Sequence, residues 1–241
     1  MTAKLKPYKK DFDHSYAVGV FPTLELLTHQ PGNVLGILLS SRADRNKGAI
    51  KIGELCKAKG IRVEIEDRLV DKLAGNENSY AIGVFRKYES ALRPTADHLV
   101  LVNPNDMGNV GTIMRSMAGF DMLDLALVQP AVDVFDPKVI RASMGAIFQL
   151  RFACVGSFGA YQKLFARNMY PFMTDGRQSL EKVCFQSPFA LVFGPEGAGL
   201  GEEYRAIGTS VTIPQSKRVD SLNLSLAAGI SLYKAYISKR P

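Results

Sequence analysis

The sequence predicts an α/β fold with a mostly parallel sheet, divided into a smaller N-terminal α/β unit and a larger C-terminal one. Short apolar runs alternate with segments of helical spacing along the chain. The alternation pauses at residues 89–97, which carry charge, Ser and Pro94, and then restarts. Three later stretches place Gly, Pro or small polar residues where a buried strand should meet a helix, the positions at which such folds build ligand sites.

The elements follow in order. Val34-Leu35-Gly36-Ile37-Leu38-Leu39 reads as a buried strand. Residues 47–59 carry Ile50, Leu55, Cys56 and Ala58 at roughly helical spacing and stop at Gly60. Residues 61–65 alternate as a strand, residues 67–73 form a short helix stopped by Gly75, and residues 80–85 are a strand. This places an α/β unit at residues 12–88, behind a solvated basic tail at 1–11 containing Lys4, Lys6, Lys9 and Lys10. After the linker, strands are expected at 98–102, 123–128, 152–155, 170–173, 189–193 and 211–213. Helices are expected at 108–118, 137–148, 158–166 and 222–237, making residues 98–241 the second domain.

Composition narrows the function classes. The chain has 241 residues and is 46% hydrophobic, enough to fill a core, so it is read as globular and not disordered. No apolar run reaches the roughly 18 residues of a membrane span, and no secretion signal is read at the N-terminus. Cys56, Cys154 and Cys184 are too scattered for a disulfide frame or a metal site, and are read as buried thiols in a reducing, cytoplasmic compartment. His14, His29 and His98 lack metal-ligand spacing, so no metal is expected. The net charge of +7, spread over both halves, favours a polyanionic partner without a basic tail.

The three turn stretches carry the chemistry. Asn109-Val110-Gly111-Thr112-Ile113-Met114-Arg115 lies on the helix after the first strand of the second domain. Gly194-Pro195-Glu196-Gly197-Ala198-Gly199-Leu200 follows the strand ending at Phe193. Ile213-Pro214 is followed by Ser221-Leu222-Asn223-Leu224-Ser225, with Ser221 the expected N-cap of the last helix. The glycines invite a Rossmann-type reading. Pro195 stands where that motif's acid would be, and too little chain follows for the remaining βα units. Taken singly, each residue is as well explained as a cap, a loop or a surface ion pair.

Together the stretches resemble the three motifs of the SpoU/TrmH family of RNA ribose 2'-O-methyltransferases, in the SPOUT superfamily. Asn109-x-Gly111-x-x-x-Arg115 is similar to the first, Gly194-x-Glu196-x-x-Gly199-Leu200 to the second, and Ile213-Pro214 with Ser221-Leu222-Asn223-x-Ser225 to the third. Pro137-Lys138-Val139-Ile140-Arg141-Ala142-Ser143-Met144-Gly145-Ala146 resembles a segment between the first two. The sequence departs from the pattern at Pro195 and in the approach from Asn103 to Gly108.

The resemblance implies a C-terminal trefoil-knot methyltransferase domain and, more loosely, an N-terminal RNA-binding domain akin to certain ribosomal proteins. It implies S-adenosylmethionine bound by Thr174, Val192, Phe193, Gly194, Gly199, Ile213, Pro214 and Leu222. It implies catalysis by Arg115 with Asn109, Glu196, Ser221 and Asn223, and a homodimer formed through the knotted domain. A guanidinium stays protonated, so Arg115 is expected to stabilise a developing alkoxide or clamp a phosphate. Arg42, Arg45, Lys47 and Tyr80 are the candidate RNA contacts, to ribosomal or transfer RNA. Two alternatives remain open: a SPOUT enzyme methylating a base nitrogen with Asp220 as base, and a non-catalytic RNA-binding protein that keeps the fold.

Overall fold

The computed structural model describes residues 5–75 and 79–239, which divide into two compact units. The first comprises residues 1–89 together with 133–149, and the second residues 90–132 and 150–241. Residues 133–149, expected within the second domain, therefore pack with the first.

In the first unit, β1 (His14–Val18), β2 (Val34–Leu39), β3 (Val63–Ile65) and β4 (Ala81–Arg86) form a sheet in the order β1-β4-β2-β3. Only β2 and β3 are parallel. β4 runs antiparallel to β1 and β2, so the sheet of this α/β unit is mixed. Side chains alternate between its faces. Tyr16, Val18, Leu38, Ile82 and Val84 face α3 (Asp67–Ala74) and the N-terminal segment. Ile37 and Ala81 face α1 (Val20–His29) and α2 (Lys47–Lys59). Asn46 caps α2 by accepting from the N–H groups of Gly48 and Ala49, and Gly60 ends it in the left-handed region.

β1 and α1 had no expectation in the sequence. The N-terminal tail is also more ordered than expected. Leu5 and Tyr8 pack on the core, Tyr16 donates to the Lys6 carbonyl at 2.7 Å, and the Tyr8 hydroxyl donates to Asp133. Lys6, Lys9 and Lys10 are exposed, and residues 1–4, including Lys4, lie outside the described residues.

The 133–149 segment completes this unit. Phe85 meets Phe135 and Phe148 at ring separations of 5.8 and 5.1 Å, and the buried Ser15 hydroxyl donates to the Phe135 carbonyl. One helix was expected over 137–148. Instead α5 (Pro137–Ala142) is separated from a 3-10 turn (Ala146–Gln149) by Met144 and Gly145, both at positive φ. A Cβ on Gly145 would lie 2.8 Å from the Pro22 Cα, so the close approach to α1 excludes a side chain there.

In the second unit, β5 (His98–Val102), β6 (Asp124–Val128), β7 (Arg151–Val155), β8 (Asn168–Pro171) and β10 (Phe189–Phe193) form an all-parallel sheet in the order β7-β6-β5-β10-β8. β5, β6 and β10 are buried at every residue, as their unbroken apolar sequences require. α6 (Phe158–Leu164) and the 3-10 turn Glu202–Ala206 cover one face, through Phe158, Tyr161 and Tyr204. α4 (Met107–Gly119) packs on α7 (Leu224–Ile237), and α7 packs on β10. β9 (Gln178–Ser179) and β11 (Val211–Thr212) make a short parallel pair. Cys56 is buried as expected, whereas Cys154 and Cys184 are exposed, because both lie where the sheet and its loops meet solvent.

The N-terminal ends of β5 and β6 carry a buried polar knot. Arg93 grips the fully buried Asp124 carboxylate through Nε at 3.0 Å and Nη2 at 2.6 Å. His98, also fully buried, lies 2.9 Å from both the Tyr161 hydroxyl and the Arg93 carbonyl. A carbonyl only accepts, so Nε2 carries the proton and Nδ1 accepts from Tyr161. Burial lowers the His98 pKa from 6.5 to about 4. The unfolded chain therefore takes up a proton that the folded chain excludes. The His98 contribution is complete above about pH 6.5, falls as pH drops, and is fully lost below about 4. The expected loss is at most on the order of 3 kcal/mol. Urea unfolding at pH 7 and pH 4.5 should show a flatter pH dependence in His98→Gln than in wild type. Equal slopes would remove His98 as the cause.

Candidate functional site: a cavity at the C-terminal end of the parallel sheet

Chain order along the sheet reverses between β5 and β10, and a cavity of about 700 Å³ opens at the C-terminal ends of β10 and β8. Ligands bind at such switch points because the loops there diverge and leave backbone groups unpaired. Three segments make its wall: residues 172–175 after β8, 193–200 with Glu202 after β10, and 211–227 from β11 into α7.

The glycine loop owes its shape to a close backbone crossing. A Cβ on Gly194 would lie 2.3 Å from the Gly199 carbonyl carbon and 2.5 Å from the Leu200 nitrogen. The loop turns back through Gly197 and Gly199, both at positive φ, and the Gly199 N–H donates to the Pro195 carbonyl at 3.1 Å. Beneath it the Phe172 and Phe193 rings stack at 4.5 Å, giving the floor a flat apolar surface.

A chain of side-chain hydrogen bonds joins the three motifs. Asn223 Nδ2 donates to Asn109 Oδ1 at 3.1 Å, and Asn109 Nδ2 donates to Glu196 Oε1 at 3.2 Å. Asn223 Oδ1 accepts from the N–H groups of Ser225 and Leu226, so Asn223 is the N-cap of α7. Ser221, the expected cap, lies two residues earlier in the cavity wall, and the helix begins at Leu224 and not at Leu222. Asn223 displaces Ser221 because its longer side chain reaches two backbone donors and Asn109 together.

Electrostatically the wall is acidic. Asp175, Glu196, Glu202 and Asp220 line it, whereas among the described residues no Lys, Arg or His does. Arg205, behind the wall, bonds both Asp175 and Glu202, and these two carboxylates raise its pKa further. Among the described residues no group of three or more His, Cys, Asp or Glu side chains could hold a metal ion.

The structure thus brings together Glu196, Ser221, Asn223, Thr174, Phe193, Gly194, Gly199, Ile213 and Leu222 in the cavity wall, with Asn109 one hydrogen bond behind. Besides Asn109, three expected residues fall outside the lining. Val192 points into the sheet core, and its carbonyl accepts from the Phe172 N–H. Pro214 is turned to solvent. Arg115 is exposed on α4, where it makes no hydrogen bond or ion pair among the described residues. Asp220, the base of the alternative reading, lines the cavity, as do Phe172, Met173, Asp175, Glu202 and Gln215, which no motif marked.

The candidate RNA contacts belong to the first unit. Arg45 and Lys47 are exposed around the start of α2, and Tyr80 is partly exposed. Arg42 is already engaged, bonding the Ser40 hydroxyl and forming an ion pair with Asp71.

An all-parallel α/β unit with a glycine-walled cavity at the C-terminal ends of its strands has the architecture of proteins that bind ligands at strand ends. Residues 97–233, more than half of the chain, match the SpoU rRNA Methylase family, and the chain belongs to that family. It is 34% identical over 141 residues to an uncharacterized tRNA/rRNA methyltransferase of Synechocystis sp., covering 57% of this chain and 52% of that protein. The chain therefore spans about half the length of that relative. It is 29% identical over 194 residues to a 23S rRNA (adenosine(1067)-2'-O)-methyltransferase of Streptomyces laurentii, covering 74% of this chain and 71% of the relative. The SpoU methyltransferase AviRb from Streptomyces viridochromogenes, solved with AdoMet, shares the fold with a TM-score of 0.81 at 23% identity, covering 94% of this chain and 91% of that one.

Proposed function

We propose that the protein transfers a methyl group from S-adenosylmethionine to a ribose 2'-hydroxyl of structured RNA. The observation that carries this reading is the single cavity wall that holds the second and third motifs and bonds the first through Asn109.

The wall suits this cofactor. Phe172, Phe193, Leu200 and Leu222 offer apolar surface for a purine. The glycine loop brings backbone close, and Asp175, Glu196 and Asp220 complement a sulfonium and an ammonium. When bound, the cofactor supplies an already activated methyl electrophile. The protein's share is then alignment of the hydroxyl and stabilisation of its oxygen as the proton leaves. The bonds among Asn223, Asn109 and Glu196 fix the side chains that would orient the ribose. Thr174, Val192, Gly194, Gly199, Ile213 and Pro214 belong to the cofactor-binding segments on this reading, with Val192 and Pro214 contributing only through backbone.

Arg115 is assigned to stabilise the alkoxide or hold the adjacent phosphate at the cavity of a second subunit. Its exposure outside its own chain's lining supports this. Leu226, Tyr233 and Ile237 are exposed at spacings of seven and four along α7, with Phe120 against Tyr233, and would form the homodimer face. The trefoil knot belongs to the same reading, supported by the parallel bridge that lays Phe172 beside Val211. The first unit would bind RNA, with Arg45, Lys47 and Tyr80 as contacts. Ribosomal or transfer RNA both fit, and so does a cytoplasmic location. No helix of the described residues is long and apolar enough to cross a membrane.

Asp220 in the cavity wall favours one second reading, methylation of a base nitrogen. One experiment separates them. Methyl-labelled cofactor is incubated with protein and with RNA from cells lacking it, and the RNA is digested to nucleosides. Label in a 2'-O-methyl nucleoside is expected, and label on a base would overturn the ribose assignment.

A further inference from the structure

A cationic loop beside the cavity, residues 216–219, is included in none of the three motifs. Ile213, Gln215, Asp220 and Ser221 all line the cavity, but residues 216–219 between them do not. The Gln215 side chain donates from Nε2 to the Asp220 carbonyl at 3.2 Å and closes the base of this excursion. At its tip stand Lys217 and Arg218, both exposed, with no side-chain hydrogen bond or ion pair among the described residues. Arg205, behind the lining, is by contrast engaged by Asp175 and Glu202.

The charges sort by depth. The wall carries four carboxylates, two of them paired with Arg205, and Glu196 and Asp220, unpaired among the described residues, suit a cationic ligand and disfavour a polyanion. A nucleic-acid strand that presents one sugar to this cavity needs positive charge at the mouth, where its flanking phosphates would lie. We propose that Lys217 and Arg218 form a phosphate-binding guide that holds the substrate RNA strand across the cavity mouth. This rests on the reading that the substrate is RNA. The two residues position substrate and do not touch the reacting atoms. Their charges matter in the encounter and the bound complex more than in the methyl-transfer step.

The test reads binding without turnover. Fluorescence anisotropy of a labelled stem-loop RNA is followed against salt concentration for wild type and for the double variant Lys217→Ala/Arg218→Ala. The logarithmic salt slope should become shallower by about 1.5 to 2, as two phosphate contacts are lost. In methylation assays on bulk RNA the KM for RNA should rise while kcat holds. Calorimetric titration with S-adenosylmethionine should show the variant still binding cofactor, as a folded cavity requires. An unchanged salt slope overturns the proposal. The exchange Lys217→Arg/Arg218→Lys keeps both charges and should restore the wild-type slope. A slope that stays shallow in that exchange shows that loop shape and not charge is responsible, which also overturns it. Failure of wild type to methylate any RNA would count against the reaction, whereas the salt slope would still decide the loop.

Discussion

Arg115→Ala should lower kcat for methyl transfer by about 10²- to 10³-fold, the usual cost of removing one preorganised stabiliser of a developing oxyanion. Cofactor affinity should hold, since Arg115 lies outside the cavity lining. Stability should also hold within about 0.5 kcal/mol, because the side chain is exposed and without a hydrogen bond or ion pair among the described residues. Single-turnover kinetics with saturating cofactor, alongside thermal unfolding, measure both. Arg115→Lys keeps the charge but loses the planar fork, so it should recover only part of the rate. Full activity in that variant would exclude a bidentate role, and full activity in Arg115→Ala would remove the residue from the mechanism.

Gly194→Ala is expected to weaken cofactor binding by roughly ten- to a hundredfold, corresponding to an overpacking strain of about 1–3 kcal/mol. The obstacle is contact and not backbone torsion. The added methyl would meet the Gly199 carbonyl carbon at 2.3 Å and the Leu200 nitrogen at 2.5 Å, and neither backbone atom can move without opening the loop. Gly197→Ala is the informative control. That position has φ of +88° but open space around a Cβ, so its cost is torsional, about 1–2 kcal/mol. Calorimetric titration that finds wild-type affinity in Gly194→Ala would mean the loop opens without consequence. Mixing Gly194→Ala with Arg115→Ala subunits tests the shared site. One subunit retains a sound cavity and the other a sound arginine, so activity should return in the mixture.

Much of the second unit was legible because its strands need no alternation. His98-Leu99-Val100-Leu101-Val102 and Phe189-Ala190-Leu191-Val192-Phe193 are continuous apolar runs, as central parallel strands must be. The motif residues were legible for a related reason, since Gly and Asn in those positions serve backbone geometry that few other residues allow. Other features had no local signature. β1 contains Ser15, which is buried only because the Phe135 carbonyl, 120 residues away, accepts its hydroxyl. α1 follows Gly19 and lacks an N-cap side chain, which leaves Pro22 in its first turn as a weak start signal. Asp175 and Glu202 reach the cavity on the separate loops after β8 and β10, whose convergence periodicity cannot encode, and Arg205 links them only in the fold.

The membership of residues 133–149 in the first unit has a consequence for synthesis. A chain emerging from the ribosome presents β1 to β4 early, but Phe85 then lacks both Phe135 and Phe148, and Tyr8 lacks Asp133. By the time residue 149 has emerged, β5 and β6 of the second unit are already outside. The two units therefore share one folding window and do not mature in turn from the N-terminus, as separate domains commonly do. The apolar surface around Phe85 therefore stays open from the emergence of that residue until residue 149 follows it, about a quarter of the chain later.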